Sequence, residues 1–164
     1  MKFADLTLIL AATMNALMAG LFFSYSISVC RGLGKLDDLE FLKAMQHINR
    51  EIQNPIFFAC FFGALIMLPI TTIQQYSQNQ NSFALLFIAT LVYLTGVFGV
   101  TAFANVPLNN KLGLFDLSTA TGTIAKQMRN SFEIRWNYWN NVRTVASLSS
   151  LVFVILACIF NKTK

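Results

Sequence analysis

The sequence predicts an all-α fold, an integral membrane four-helix bundle that forms a single domain over residues 1–164. Of its 164 residues, 55% are hydrophobic and only 12% are charged, whereas soluble domains carry about 25% charged residues. Four apolar stretches are each long enough to cross a bilayer as a helix, which takes about 20 residues. We therefore expect spans over about 6–29, 55–73, 83–104 and 143–160.

The first span carries small residues at every fourth position, a pattern that lets another helix backbone approach closely. These residues are Ala12, Ala16, Gly20, Ser24 and Ser28. The stripe permits packing inside the bundle and equally a homo-oligomer. Asn15, the one amide in the apolar part of this span, either bonds a neighbouring helix or lines a cavity.

The first connector, residues 31–54, carries apolar residues at spacings of three and four from Leu36 to Ile52. This pattern predicts an amphipathic helix. Asp37 or Asp38 is placed to cap its N-terminus. Asn49 lies on the apolar side, where an amide needs a partner. His47 is the only histidine, and it is either a solvated surface residue or a base.

The second span begins at Pro55, whose missing amide hydrogen costs nothing in a first helical turn. Pro107 ends or kinks the third span, since proline lacks the donor that a helix requires. Asn105, Asn109 and Asn110 surround this proline. Their amides either cap a turn or supply hydrogen bonds to a ligand.

In the third connector, which starts at Lys111, we expect one short helix from Ser118 to about Met128. The last helix should then begin near residue 131. From there to residue 160 the last helix would be about 45 Å long, against about 30 Å for the hydrocarbon core. Its first turns must project beyond the membrane.

The last helix enters the membrane with a polar face, because Trp136, Trp139, Asn140 and Arg143 follow the spacing i, i+3, i+4 and i+7. Polar side chains at membrane depth face protein in preference to lipid. The alternative interpretation is an aromatic belt with an arginine at the membrane surface.

Four spans place both termini on one side of the membrane and both long connectors on the other. This topology brings three groups together: Gln46, His47 and Asn49; Asn105, Asn109 and Asn110; and Trp136, Trp139, Asn140 and Arg143. Nine basic residues belong to the connector side and three to the termini. The positive-inside rule therefore predicts that the connectors are cytoplasmic.

Several classes of function are excluded by the residue types. One histidine cannot make a bis-histidine haem site, no span has a central Asp or Glu, and no nucleotide-binding glycine pattern is present. The three cysteines are widely spaced and predict buried free thiols. We expect no metal, no cofactor and no nucleic-acid partner.

The remaining groups suit a flat, lipophilic small molecule with carbonyl or phenolic oxygens. Indole rings stack on such a molecule, amides orient it, and an arginine stabilises an enolate or phenolate.

Three sequence blocks together resemble the anthrone oxygenase-like family of small four-helix membrane proteins, most of whose members are bacterial and of unknown function. The blocks are Met45-Gln46-x-Ile48-Asn49 with Asn54-Pro55, Asn105-Val-Pro107-Leu-Asn109-Asn110, and Arg135-Trp136-x-x-Trp139-Asn140-x-x-Arg143-Thr144. The resemblance implies oxidation of an anthrone to an anthraquinone by molecular oxygen, without a recognised metal or flavin. His47 departs from the family pattern, which more often has a small residue there.

Two hypotheses of function follow. In the first, the protein is an oxygenase in which Arg143, Asn140 and His47 are catalytic. Substrate is then bound by Gln46, Asn49, Asn105, Asn109, Asn110, Trp136 and Trp139. In the second, the same side chains hold helices together or bind a lipid, a quinone or a partner protein without catalysis.

Overall fold

A computed structural model of the protein describes residues 3–161, which form five helices and no strand. Four of these helices are long and apolar enough to cross a membrane. The helices are α1 (Phe3–Leu33), α2 (Asp38–Glu51), α3 (Pro55–Gln75), α4 (Gln80–Gly113) and α5 (Gly122–Asn161). The prediction of an all-α membrane bundle with an extra helix in the first connector is confirmed.

The four long helices pack around one apolar core, which includes Phe22, Phe61, Leu68 and Tyr93. Polar bonds tie the helices at the end where the termini lie. Thr7 Oγ1 donates to Gln74 Oε1 at 2.6 Å, between α1 and α3. Both long connectors meet at the opposite end.

α2 packs across the connector end of the bundle through its apolar face. Phe41, Leu42 and Met45 of this face are buried against Leu112 of α4 and Phe132 of α5. The helix begins at Asp38, and Asp37 occupies the N-cap position without a capping hydrogen bond from its side chain. Burial of the apolar stripe therefore determines where α2 lies, more than the cap does.

α5 is one continuous helix from Gly122, so the expectation of a separate short helix and a start near residue 131 is wrong. Asn130 and Ser131 favour a break only weakly. Tertiary packing overrides that preference, because Met128 and Phe132 on either side are buried in the same cluster. At 1.5 Å per residue α5 is about 60 Å long, roughly twice the hydrocarbon thickness.

α4 continues through Pro107 to Gly113, so Pro107 does not end it. Two π-helical segments, Tyr93–Gly99 and Thr101–Asn105, precede the proline, and Val106 N–H donates to Thr101 O five residues back. Pro107 then lies in the first turn of the final α-helical segment. Its missing donor costs little there.

The small-residue stripe of α1 faces outward, since Ala16, Gly20 and Ser24 are exposed. The interior face of α1 instead carries Asn15, whose Nδ2 donates to Ser150 Oγ of α5 at 2.8 Å. Asn15 therefore bonds a neighbouring helix, which was one of the two expectations for this residue. A homo-oligomer through the outward stripe stays a prediction.

Candidate functional site

A cavity of about 430 Å³ lies at the connector end of the bundle, enclosed by the end of α2, the start of α3, the second half of α4 and α5. Five phenyl rings form much of its wall: Phe57, Phe58, Phe61, Phe62 and Phe98. The cavity is also lined by Asn49, Gln53, Thr101, Asn105, Asn109, Asn110, Trp136 and Arg143. An apolar wall with a few polar groups is typical of small-molecule sites.

Arg143 is the only charged residue that lines this cavity, and 6% of it is exposed. Its guanidinium carbon lies 4.4 Å from the centre of the Phe22 ring and 5.5 Å from that of Trp136. Nη1 is 3.5 Å from Thr101 Oγ1. Both ion pairs within residues 3–161 belong to another arginine, Arg129, so no carboxylate neutralises Arg143 there. A buried charge without a counterion is costly, and the site is therefore complementary to an anion.

Asn140 lies behind Arg143 and does not line the cavity. Its Oδ1 accepts from Nη2 of Arg143 at 3.0 Å, and its Nδ2 donates to Ser26 Oγ at 3.0 Å. Ser26 belongs to a π-helical turn of α1, Tyr25–Val29, and π-turns occur frequently at functional sites. Asn140 thus connects Arg143 to α1.

Trp136 joins α5 to α4 beside the cavity. Its Nε1 donates to Asn109 Oδ1 at 2.8 Å, and its backbone oxygen accepts from Asn105 Nδ2 at 3.4 Å. The indole is tilted against the Tyr25 ring, with 5.8 Å between ring centres. These bonds orient two of the asparagine amides that line the cavity.

Three buried polar atoms on the cavity-lining residues have no hydrogen-bond partner among residues 3–161. They are Nδ2 of Asn49, Oδ1 of Asn105 and Nε of Arg143. Buried polar groups are normally satisfied, and an unsatisfied one costs about 1–3 kcal/mol. Two donors and one acceptor are therefore left for a ligand.

A second, more polar groove of about 490 Å³ adjoins the cavity on the connector side. The two share Asn49, Gln53, Asn109 and Asn110. Gln46 lines the groove, and its Nε2 donates to the backbone oxygens of Leu112 and Phe115, both at 2.8 Å. Gln46 therefore holds α2 against the end of α4 instead of facing the cavity.

Two of the residues that sequence reasoning assigned to the site lie elsewhere. His47 is exposed on α2 and does not line the cavity. Trp139 lines a groove on the outer surface with Phe103 and Pro107, and its ring contacts Tyr138 at 5.0 Å. Trp139 differs from Trp136 by three residues, or about 60° around a helix of 3.6 residues per turn, which carries it off the buried face.

The phenyl wall was not assigned to particular residues from the sequence. Its signal is present, since Phe57, Phe58, Phe61 and Phe62 recur at spacings of one and four along α3. The same pattern is typical of lipid-facing residues. Only the position of α4 shows that these rings line a cavity. Gln53 and Thr101 were also missed.

Among residues 3–161, no group of three or more His, Cys, Asp or Glu side chains is arranged to hold a metal ion. The absence of a cofactor stays a prediction.

A family model for anthrone oxygenases matches residues 44–153, about two thirds of the chain. The matched range contains every cavity-lining residue named above, but not Phe22 and Ser26 of α1. No curated protein and no solved structure matches the chain.

Proposed function

Because the chain belongs to the anthrone oxygenase family, we propose that it is a membrane oxygenase acting on a lipophilic anthrone-like or phenolic substrate. Molecular oxygen is the co-substrate, and no cofactor takes part. The observation that carries this proposal is the buried guanidinium of Arg143, which borders an apolar cavity and has no carboxylate partner among the described residues.

The phenyl rings supply the binding energy for a flat aromatic substrate. Phe61 and Phe98 have ring centres 5.8 Å apart, and Phe57 and Phe61 are stacked at 5.4 Å. Aromatic groups of this kind favour offset-stacked or edge-on contact with further rings. The substrate ketone oxygen then lies beside Arg143.

Arg143 favours the enolate of the bound ketone, because a fixed cation in a water-poor site stabilises developing negative charge strongly. The carbon-bound proton passes to water in the adjoining polar groove, since the cavity lining contains no histidine and no carboxylate. The ring CH₂ group thereby becomes an electron-rich carbanion that reacts with oxygen.

The overall reaction converts a ring CH₂ group and one O₂ into a ketone and one water. The carbanion gives one electron to O₂, and the resulting radicals combine to form a carbon–oxygen bond. The peroxide takes up a proton to become a hydroperoxide. Loss of the second ring proton and cleavage of the O–O bond then give the ketone and release water.

Catalysed oxygen uptake tests the proposal directly. We expect the purified protein in lipid to consume oxygen and form quinone from anthrones faster than empty liposomes, which correct for autoxidation. Arg143→Ala should remove the catalysed rate. Arg135→Ala is the matched control, because Arg135 is an exposed arginine on the same helix outside the cavity.

A second function, binding of a lipid, a quinone or a partner protein without turnover, is favoured by one observation. Asn15 Nδ2 donates to Ser150 Oγ at 2.8 Å and Tyr93 OH donates to Phe61 O at 3.0 Å, so buried polar side chains of this bundle also join its helices. Oxygen uptake equal to that of empty liposomes, together with a copurifying lipid or quinone, would favour this second function.

We also propose that the connectors face the cytoplasm of a bacterial inner membrane. Nine of the twelve basic residues belong to the connector side, and this asymmetry sets orientation. A cysteine introduced at the exposed Lys43 of α2 should react with a membrane-impermeant maleimide in inverted vesicles and not in intact cells. Labelling in intact cells would contradict this orientation.

A further inference from the structure

We propose that Asn105 determines substrate specificity by accepting a hydrogen bond from a ligand hydroxyl group. The inference rests on the proposed function only in taking the phenyl-lined cavity as the place where the substrate binds. It adds a requirement that the apolar wall does not impose, namely that the ligand carries a hydrogen-bond donor.

The orientation of the Asn105 amide is fixed by α5. Nδ2 donates to the backbone oxygen of Trp136 at 3.4 Å, so reversing the amide would place two acceptor oxygens together. Asn105 is 1% exposed, and its Oδ1 has no hydrogen-bond partner in the described part of the chain. Asn105, which lines the cavity, therefore has an unpaired acceptor, while its amide nitrogen is bonded to α5.

Other donors on the residues that line the cavity do not bond to Oδ1 of Asn105. Nε of Arg143 and Nδ2 of Asn49 also lack partners, although both residues line the same cavity as Asn105. Trp136 Nε1, a further donor beside the cavity, is bonded to Asn109 Oδ1. The unpaired donors and the unpaired acceptor thus belong to residues that line one cavity but do not bond to one another.

A ligand that satisfies all three atoms has a defined pattern of polar groups. It presents a carbonyl or enolate oxygen to Arg143, an acceptor oxygen to Asn49 and a hydroxyl hydrogen to Asn105. A ring with an ether or a ketone in place of the hydroxyl would set an acceptor against Oδ1 of Asn105. Sites built to hydrogen-bond a hydroxyl discriminate strongly against analogues that lack it.

The loss of one buried hydrogen-bond partner corresponds to about a tenfold to hundredfold change in affinity. We therefore expect a hydroxylated ring to bind at least about tenfold more tightly than its methyl ether. Asn49 offers a matched comparison, because it lines the same cavity and its unpaired atom is a donor instead of an acceptor.

The test measures binding by quenching of tryptophan fluorescence, without oxygen, in lipid nanodiscs. The probes are 1-hydroxy- and 2-hydroxyanthraquinone and the methyl ether of each. These quinones are already oxidised, so their binding does not depend on turnover. Wild type is compared with Asn105→Leu, which removes the acceptor, and with Asn49→Leu.

We expect one hydroxyquinone to bind wild type at least about tenfold more tightly than its methyl ether. The preference should disappear in Asn105→Leu. In Asn49→Leu both ligands should weaken equally. A wild-type protein without the preference, or an Asn105→Leu variant that retains it, would overturn the inference, and the wild-type result requires no variant to fold.

The inference and the proposed function fail in different ways. If the hydroxyl preference depends on Asn105 but anthrones are not oxidised, the specificity assignment stands and the oxygenase proposal falls. If anthrones are oxidised but no hydroxyl preference depends on Asn105, the oxygenase proposal stands and the specificity assignment falls.

Discussion

Oδ1 of Asn140 accepts a hydrogen bond of 3.0 Å from Nη2 of Arg143, one turn further along α5. The same Asn140 side chain is held by α1, through bonds from Nδ2 to Ser26 Oγ at 3.0 Å and to Phe22 O at 3.3 Å. The direction of the guanidinium therefore depends on α1, although α1 lies outside the range that the family model matches. We therefore expect Asn140 to be a positioning residue that acts through Arg143.

Asn140→Leu should lower kcat by about tenfold to hundredfold, because a hydrogen bond to a charged group is worth about 1.5–3 kcal/mol. Asn140→Asp should also lower it, since a carboxylate beside Arg143 neutralises the charge that stabilises the enolate. Steady-state oxygen uptake measures both effects. Asn141→Leu, at an exposed neighbouring position, is the control, and an Asn140→Asp enzyme with wild-type kcat would contradict the positioning role.

The Trp136 to Asn109 bond should couple α5 to α4 energetically. Trp136→Phe and Asn109→Leu each remove the bond of 2.8 Å, and a double-mutant cycle isolates its contribution. We expect a coupling free energy of unfolding of about 0.5–1.5 kcal/mol. Denaturation in mixed detergent and lipid micelles measures it, and strictly additive single effects would show that the bond contributes nothing.

Arg129 should stabilise the connector end of the fold. Its Nη1 lies 2.7 Å from Leu36 O and 3.1 Å from Asp38 Oδ1, its Nη2 lies 2.9 Å from Gly34 O, and its Nε lies 2.7 Å from Glu133 Oε2. Arg129→Ala should lower the free energy of unfolding by about 2 kcal/mol.

Lys126→Ala is the matched control for Arg129→Ala, because Lys126 is an exposed cation one turn earlier on α5. Thermal unfolding in detergent compares the two variants. Equal melting temperatures would contradict the role given to Arg129.

Gly96 should tolerate no larger residue, because α4 approaches α5 closely there. A Cβ atom on Gly96 would lie 2.6 Å from Cβ of Ala146, whereas one on Gly99 would come no closer than 3.4 Å to Leu94 O. Gly96→Ala should therefore cost about 1–3 kcal/mol of stability through overpacking. Gly99→Ala is the control, and thermal stability in detergent should rank the two variants in that order.

The bundle was predictable because membrane spans leave a strong signal in composition. The start of α5 was not, since Asn130 and Ser131 have weak local preferences that burial of Met128 and Phe132 overrides. The expectation that Pro107 could end the third span was wrong because a π-helical turn before the proline places it in a first helical turn. The residues around Pro107 give no local sign of such a turn.

The candidate cavity was predictable only in its polar part. The spacing of Trp136, Asn140 and Arg143 placed them on one face, and all three are buried. Sequence spacing placed Trp139 at the edge of that face but could not show that this edge lies outside the cavity. It also could not show that Gln46 bonds the backbone at the end of α4 and just beyond it. The phenyl wall depends on how α3 and α4 lie relative to each other, which no local pattern encodes.

Arg143 should stabilise a ligand anion, and a spectroscopic pH titration of bound anthrone without oxygen measures this stabilisation. The enolate absorbs at longer wavelength than the ketone, so its fraction is read at each pH. We expect the bound anthrone to have a pKa at least about one unit below that of the free molecule, equivalent to about 1.4 kcal/mol. The shift should vanish in Arg143→Ala and survive in Arg135→Ala. A bound pKa equal to the free value, or a shift that survives in Arg143→Ala, would show that Arg143 does not stabilise the ligand anion.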